Sequence, residues 1–272
     1  MKELNKNEIR EIQLEILKKS VDFFEENELK YFLCGGTLLG AVRHQGYIPW
    51  DDDIDLMMPR PEYERLKQEF SVNGLSLIDY NSKNQNYKLP FIKVQKNGTL
   101  LKEKYALNIE VGISIDIFPI DGFPDKQSEL EIHLLQLEKK IKKIKLKNVQ
   151  FTWQNHSIWW KSILITLYFG FRKFMSFFYS NRIVCSNLNK LAQKYEYGKT
   201  MKAGIAVWGY GNKEVCPAEV YKENIKMIFE NKYYYAPKDF NTYLSCVYGD
   251  YMKLPPKSKQ KPHHNISAFI IK

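Results

Sequence analysis

Cysteine is scarce in this chain. Its four cysteines stand at positions 34, 185, 216 and 246 of 272 residues, with no C-x-x-C spacing and no histidine cluster beside them. That argues against a zinc site and against a disulfide framework, and leaves reduced core residues. An apolar leader is lacking too. The chain opens Met1-Lys2-Glu3-Leu4-Asn5-Lys6, so a soluble helix is expected there rather than a signal segment, and a cytoplasmic location with it. Long hydrophobic runs are missing. In the most apolar segment the longest charge-free stretch, Ser162 to Phe171, is about half the length of a membrane-spanning helix. Internal repeats, low-complexity linkers and aromatic-rich RNA-binding motifs are also absent. A nucleic-acid-binding module therefore has only charge in its favour, and no nucleic-acid partner is expected.

What is present fits a folded globular protein. Hydrophobic residues make up 44% and charged residues 26%, and 272 residues can bury a sizeable core. Lys and Arg number 41 against 31 Asp and Glu, a net charge of +10. Such a surface favours anionic partners: nucleic acid, acidic headgroups or phosphorylated substrates.

Ile9, Ile12, Ile16, Leu17, Val21 and Phe24 recur at helical spacing over residues 8–27. Tyr31 to Cys34 reads as a short strand ended by Gly35-Gly36. Thr37 to His44 reads as a short helix and Asp53 to Met58 as a strand. Pro61 suits the first turn of a helix running to Phe70. Further strands are expected around Leu75–Ile78, Phe91–Gln95 and Ile113–Phe118, with a turn at Asn97-Gly98. The result is a mixed α/β region up to about residue 122.

Beyond Pro124 the pattern turns helical. Leu130, Leu134, Leu137, Ile141 and Ile144 form an apolar stripe. Lys139, Lys140, Lys142, Lys143, Lys145 and Lys147 surround its C-terminal half, as a solvated face or as a patch for anionic lipid or a phosphorylated glycan. Ile158 to Tyr179 is rich in Trp, Phe, Leu and Ile. A buried helix is the expectation there; an interfacial helix on a membrane is the alternative, because Trp with Lys and Arg suits a headgroup region.

The chemistry concentrates in one run. Asp51, Asp52, Asp53 and Asp55 put four carboxylates within five residues. In a strand, alternate residues share a face, so Asp51, Asp53 and Asp55 share one parity and Asp52 takes the other. Asp53 and Asp55 would project side by side and could share a hard cation such as Mg²⁺. Without a cation such carboxylates repel and their pKa values rise. Asp116 lies among β-branched residues in Ile113-Ser114-Ile115-Asp116-Ile117-Phe118. A lone buried carboxylate is costly there, so Asp116 is a candidate to complete a metal site or to act as general base. Asp121, after Pro119, is expected in a turn.

Gly35-Gly36-Thr37 follows a strand and opens a helix, where glycines admit a phosphate and the helix end offers free N–H groups. Arg43 is a candidate bidentate phosphate clamp. Lys93, on an otherwise apolar strand, is a second phosphate contact, and His44 is expected to be structural.

These residues carry a family resemblance. Gly-Gly-Thr, then Asp-Ile-Asp, then a separate strand Asp resembles the nucleotidyltransferase superfamily. The string from Gly36 to His44, with Gly46 and then Ile48-Pro49-Trp50-Asp51-Asp52-Asp53-Ile54-Asp55, resembles the LicD family. Ile115-Asp116-Ile117-Phe118-Pro119-Ile120-Asp121, Tyr243-Leu244, Tyr248-Gly249-Asp250-Tyr251 and Leu254-Pro255-Pro256 extend it. Where the family pattern leads one to expect Arg then His after the Pro pair, this chain has Lys259, Lys261, His263 and His264.

The resemblance implies an α+β fold: a nucleotidyltransferase-like core at 1–124 with a mixed sheet flanked by helices. The second half, 125–272, would be mostly helical, acceptor-binding and membrane-proximal, its C-terminal segment packing back on the core. It implies transfer of phosphocholine from CDP-choline to a cell-surface glycan, a teichoic acid or lipopolysaccharide precursor, with CMP leaving. The alternatives are ribitol or glycerol phosphate, or a nucleotidyl group, as cargo. Asp53 and Asp55 would hold Mg²⁺, or Mn²⁺ in its place, with Asp51 assisting and Asp116 as ligand or base. Gly35, Gly36, Thr37 and Arg43 would contact the donor, with Lys93 and Trp50 as further substrate-binding residues. Choline would need an aromatic cage, for which Tyr47, Trp50, Trp208, Tyr210 and Tyr248 are candidates. The acceptor is expected to be lipid-linked and the protein peripheral on the inner face of the cell membrane.

Overall fold

A computed structural model describes residues 1–82, 87–103, 111–148, 159–261 and 266–271. His263, His264 and Ile158 lie outside the described residues. After strand β1 (Lys2–Leu4), helix α1 (Lys6–Glu26) begins at a capping box. Asn5 Oδ1 accepts from the N–H groups of Asn7 and Glu8, and the Glu8 carboxylate accepts from the Asn5 N–H. The helical stripe Ile9, Ile16, Leu17, Val21 and Phe24 is buried, as its spacing predicts, and packs towards the central sheet.

Next come β2 (Phe32–Leu33), α2 (Gly35–His44), β3 (Asp55–Pro59), α3 (Arg60–Glu69), β4 (Leu75–Ile78), β5 (Ile92–Lys96), β6 (Thr99–Glu103) and β7 (Ser114–Phe123). A seven-stranded sheet runs in the order β2-β3-β7-β5-β4, extended by β8 (Lys202–Ile205) on β7 and β9 (Cys216–Pro217) on β8. Among the described residues only β3 and β7 are parallel within it. β7 is central, and every residue along it is buried except Asp116. Its apolar run suits a strand covered on both faces.

Asp121 departs from the sequence expectation. It stands inside β7, 1% exposed, rather than in a turn. Arg60 of α3 donates to it through Nε and Nη2 at 2.7 and 2.6 Å. Pro119 does not end the strand, because β7 continues into pairing with β8.

Helices α4 (Gln127–Asn148), α5 (Trp159–Met175) and α6 (Asn181–Ala192) follow. The chain then returns through β8 and β9 to the hairpin β10 (Asn224–Phe229) and β11 (Lys232–Pro237), to α7 (Phe240–Tyr248), and to β12 (Ile266–Ile270) between β1 and β6. α4 buries Leu130, Leu137 and Ile144 as expected. α5 is not the buried helix expected from its apolarity. Its buried residues are Ser162 and Thr166, while Trp159, Leu164, Leu167 and Phe171 are exposed. Among the described residues no helix is long and apolar enough to cross a membrane.

Candidate active site

Sheet register builds the first part of the site. Asp55 at the start of β3 faces Asp116 of β7 across the parallel pair, and Lys93 of β5 faces Asp116 across the antiparallel one. Neighbouring strands lie about 4.8 Å apart, so two carboxylates and an amine share one rung. Lys93 Nζ donates to Asp116 Oδ1.

The second part comes from the segment before β3. The strand begins at Asp55 and not at Asp53, so strand alternation does not govern residues 51–54. One carboxylate oxygen from each of Asp51, Asp52 and Asp53 lies within 4.8 Å of the others. Asp52, expected on the far face, therefore belongs to the cluster. Side chains of α1 hold this segment by its backbone. Arg10 Nη2 donates to the Asp51 carbonyl at 2.8 Å, Gln13 Nε2 to that of Asp52 at 2.9 Å, and Lys6 Nζ to that of Pro49 at 3.0 Å.

The N-terminus of α2 meets these carboxylates. Gly35 has φ +53°, and a Cβ there would sit 3.1 Å from Asp55 Oδ2. A Cβ on Gly36 would sit 2.4 Å from Asp51 Oδ2. The two glycines thus make room for carboxylates at a helix end whose dipole favours negative charge. The Gly35 N–H donates to the Tyr243 hydroxyl at 3.2 Å. Thr37 is buried, and its hydroxyl accepts from the Asp55 N–H at 2.9 Å; it fixes the start of β3.

Burial, then the charges of Asp53, Asp116 and Asp51, push the Asp55 carboxyl well above the usual range. Burial and the neighbouring Asp53 push Asp51 up to about 7. A crowd of oxygen donors whose charge the fold disfavours fits a hard divalent cation.

The cluster opens into a cavity of about 840 Å³. Gly35, Gly36, Asp51, Asp52, Asp53, Asp55, Lys93 and Asp116 line it together with Arg43 and Trp50, whereas Thr37 does not. Arg43 lies at the rim, where Nη1 donates to the Tyr251 carbonyl at 2.9 Å and Nε to His44 Nε2 at 3.0 Å. Lys253 and Lys259 add cations to the same lining. Trp208, Tyr210, Tyr248 and Tyr251 form an aromatic wall; the Tyr210 and Tyr248 rings meet edge to face at 5.5 Å. Tyr47 is not part of it, being buried with its hydroxyl donating to Gln13.

Glu214 was not foreseen from the sequence. It lines the cavity at 2% exposure. Its Oε1 accepts from the Tyr210 N–H at 3.2 Å, and its buried Oε2 has no hydrogen-bond partner among the described residues. Burial pushes its carboxyl up to about 7. Its signal was the glycine-rich stretch Trp208-Gly209-Tyr210-Gly211, since a Cβ on Gly209 would sit 2.5 Å from Glu214 Oε1.

Residues 28–133 match the family model described as LicD/FKTN/FKRP, nucleotidyltransferase domain. The whole chain is 30% identical to the lipopolysaccharide cholinephosphotransferase LicD of Haemophilus influenzae, over 100% of both proteins. The chain belongs to the LicD family. It is also 37% identical to the human ribitol 5-phosphate transferase FKRP over 59 residues, 22% of this chain and 12% of that protein. To mannosyltransferase regulator 4 of Saccharomyces cerevisiae it is 30% identical over 100 residues, 35% and 8% of the two chains. In this LicD-family chain the matched domain holds the whole acidic cluster and Lys93, while the aromatic wall and Glu214 come from beyond it.

Proposed function

We propose that this LicD-family protein transfers phosphocholine from CDP-choline to a hydroxyl of a cell-surface glycan, releasing CMP, with Mg²⁺ as cofactor and Mn²⁺ able to replace it. The observation that carries this is the Asp55–Asp116–Lys93 rung beside the Asp51–Asp53 cluster in the lining of one cavity. Full-length similarity to a cholinephosphotransferase supports the cargo, and so does the wall of Trp208, Tyr210, Tyr248 and Tyr251, since aromatic faces attract a quaternary ammonium.

Asp51, Asp53 and Asp55 would hold the cation, and Asp116 would complete its site or act as base. Bound there, the cation supplies charge neutralisation for the donor diphosphate and the leaving CMP. Arg43, Lys253 and Lys259 orient the donor phosphates from the rim. The acceptor oxygen forms its bond to the choline-bearing phosphorus as the bond to the CMP oxygen breaks. In the second role Asp116, paired with Lys93, takes the hydroxyl proton. The acceptor is a lipid-linked glycan precursor, met at the inner face of the cell membrane.

The test is CMP release from CDP-choline in the presence of a glycan acceptor. Asp53→Asn and Asp55→Asn should each remove it while leaving the folded state intact. Turnover retained in both variants would refute the assignment of the cluster. Competition with CDP-ribitol, CDP-glycerol and nucleoside triphosphates tests the cargo, and preferential use of any of them would replace phosphocholine.

A further inference from the structure

α5 is amphipathic in the wrong sense for a protein interior. It buries Ser162 and Thr166, and Ser176 is buried just beyond its end. Trp160, Leu164, Leu167, Phe171 and Phe174 recur every three or four residues on its open side, 48% to 64% exposed. Phe177 and Phe178 continue the stripe at 74% and 72%. Over 17 residues the helix presents an apolar edge about 25 Å long. Monomeric soluble proteins rarely leave so continuous an apolar surface in water.

Charge says what covers it. From Lys139 to Tyr195 the sequence has no Asp or Glu and twelve Lys and Arg. The whole chain carries +10, so the remainder is close to neutral at −2. The entire positive excess falls in the stretch of chain that carries the apolar edge. Lys161 and Arg172 flank it, stacked over Trp160 and Tyr168 at 5.5 and 5.7 Å. α4 runs alongside with Lys139, Lys142, Lys143 and Lys145 exposed. The two helices are tied at their carbonyl ends. Lys173 Nζ donates to the Leu146 and Lys147 carbonyls at 3.2 and 2.6 Å, and Lys147 Nζ to that of Ser176 at 3.0 Å.

We propose that the α4–α5 unit docks on an anionic lipid bilayer, with the α5 stripe in the acyl boundary and the lysines among the headgroups. Trp and Phe over a basic flank is the composition of an interfacial helix. α5 is too short to span. A second copy of the chain would bring the same concentrated positive charge against itself, which opposes docking. The site lies next to this face: Lys145 Nζ stacks on the Trp208 ring at 4.8 Å, and Trp208 lines the acidic cavity. The docked face would therefore bring the cavity mouth to the lipid surface. The inference holds for any cargo.

Co-sedimentation of the full chain with phosphatidylcholine vesicles, with and without phosphatidylglycerol, tests this without donor or acceptor. Binding is expected on the anionic vesicles, weakening with salt, with a blue shift of tryptophan emission. Leu164→Glu combined with Phe171→Glu should weaken it by about tenfold or more, with circular dichroism and melting unchanged. Lys142→Glu with Lys143→Glu should weaken binding to the anionic vesicles alone. A wild-type chain left in the supernatant at low salt would overturn the proposal. So would undiminished binding by the Leu164→Glu/Phe171→Glu variant, or a wild-type dimer that this variant dissolves.

Discussion

Asp55 and Asp116 stand directly opposite each other on adjacent parallel strands. Two carboxylates on one rung repel, and Lys93 pairs with only one of them. Burial together with the neighbouring carboxylates holds the Asp55 carboxyl high. Asp55→Asn should therefore raise the cation-free melting temperature by about 2–5 °C. It should also abolish the further rise that Mg²⁺ gives the wild type, and reduce turnover below detection. Melting scans with Mg²⁺ and with EDTA, beside the CMP assay, check the three together.

Two glycines of α2 should respond differently to alanine. At Gly36 the added Cβ meets the end of the Asp51 side chain at 2.4 Å, which can swing aside. At Gly40 it meets the Gly46 carbonyl at 2.4 Å and the Ile48 nitrogen at 3.3 Å, both backbone. Gly36→Ala should leave stability within about 1 kcal/mol and lower divalent-cation affinity by about tenfold. Gly40→Ala should cost about 1–3 kcal/mol. Titration calorimetry with Mn²⁺ and urea midpoints separate the two effects.

Arg60 and Asp121 form a buried pair away from the cavity, and Arg60 also donates to Asn189 of α6 at 3.1 Å. Arg60→Met strands a buried carboxylate and should cost about 3–5 kcal/mol, whereas Arg60→Met with Asp121→Leu should recover most of it. Urea unfolding of the two variants measures this.

Glu214 offers a pH signature. Its carboxyl moves from an ordinary 4.5 up to about 7 through burial. Between those values the unfolded chain has lost a proton that the folded chain keeps. Its contribution to stability should therefore fall as pH rises from about 4.5 to about 7, by on the order of 3 kcal/mol in full, and level off above. Glu214→Gln removes this slope, so the variant should gain on the wild type across that window. Urea midpoints at several pH values check it, and a constant difference would refute the assignment.

The sequence carried the local part of this molecule and little of its long-range part. The α1 stripe and the apolar strands were legible because burial imposes periods of 3.6 and 2 on the chain. The Asp51–Asp55 run and Asp116 stood out as charge where the pattern called for apolar residues. Register is a different kind of fact. Nothing near Lys93 or Asp116 announces that they face each other, and Asp121 looked like a turn residue because its partner lies on α3. Strand alternation misassigned Asp52 because the strand starts two residues later than Asp53. The composition of α5 suggested a core helix, since apolarity alone does not say which side of a helix will be covered. Glu214 and Tyr243 join the site from the far end of the chain, where only tertiary packing could bring them.

Lys6, Arg10 and Gln13 grip the segment around Asp51 through hydrogen bonds to its carbonyls. Anchorage and chemistry are therefore carried by different atoms of the same residues. Side chains at 51–53 can be exchanged while the carbonyl hydrogen bonds that moor the loop to α1 stay in place. Such a loop can drift in the ions and donors it favours while its path stays the same, which makes it a place where new specificities can arise at little cost to folding.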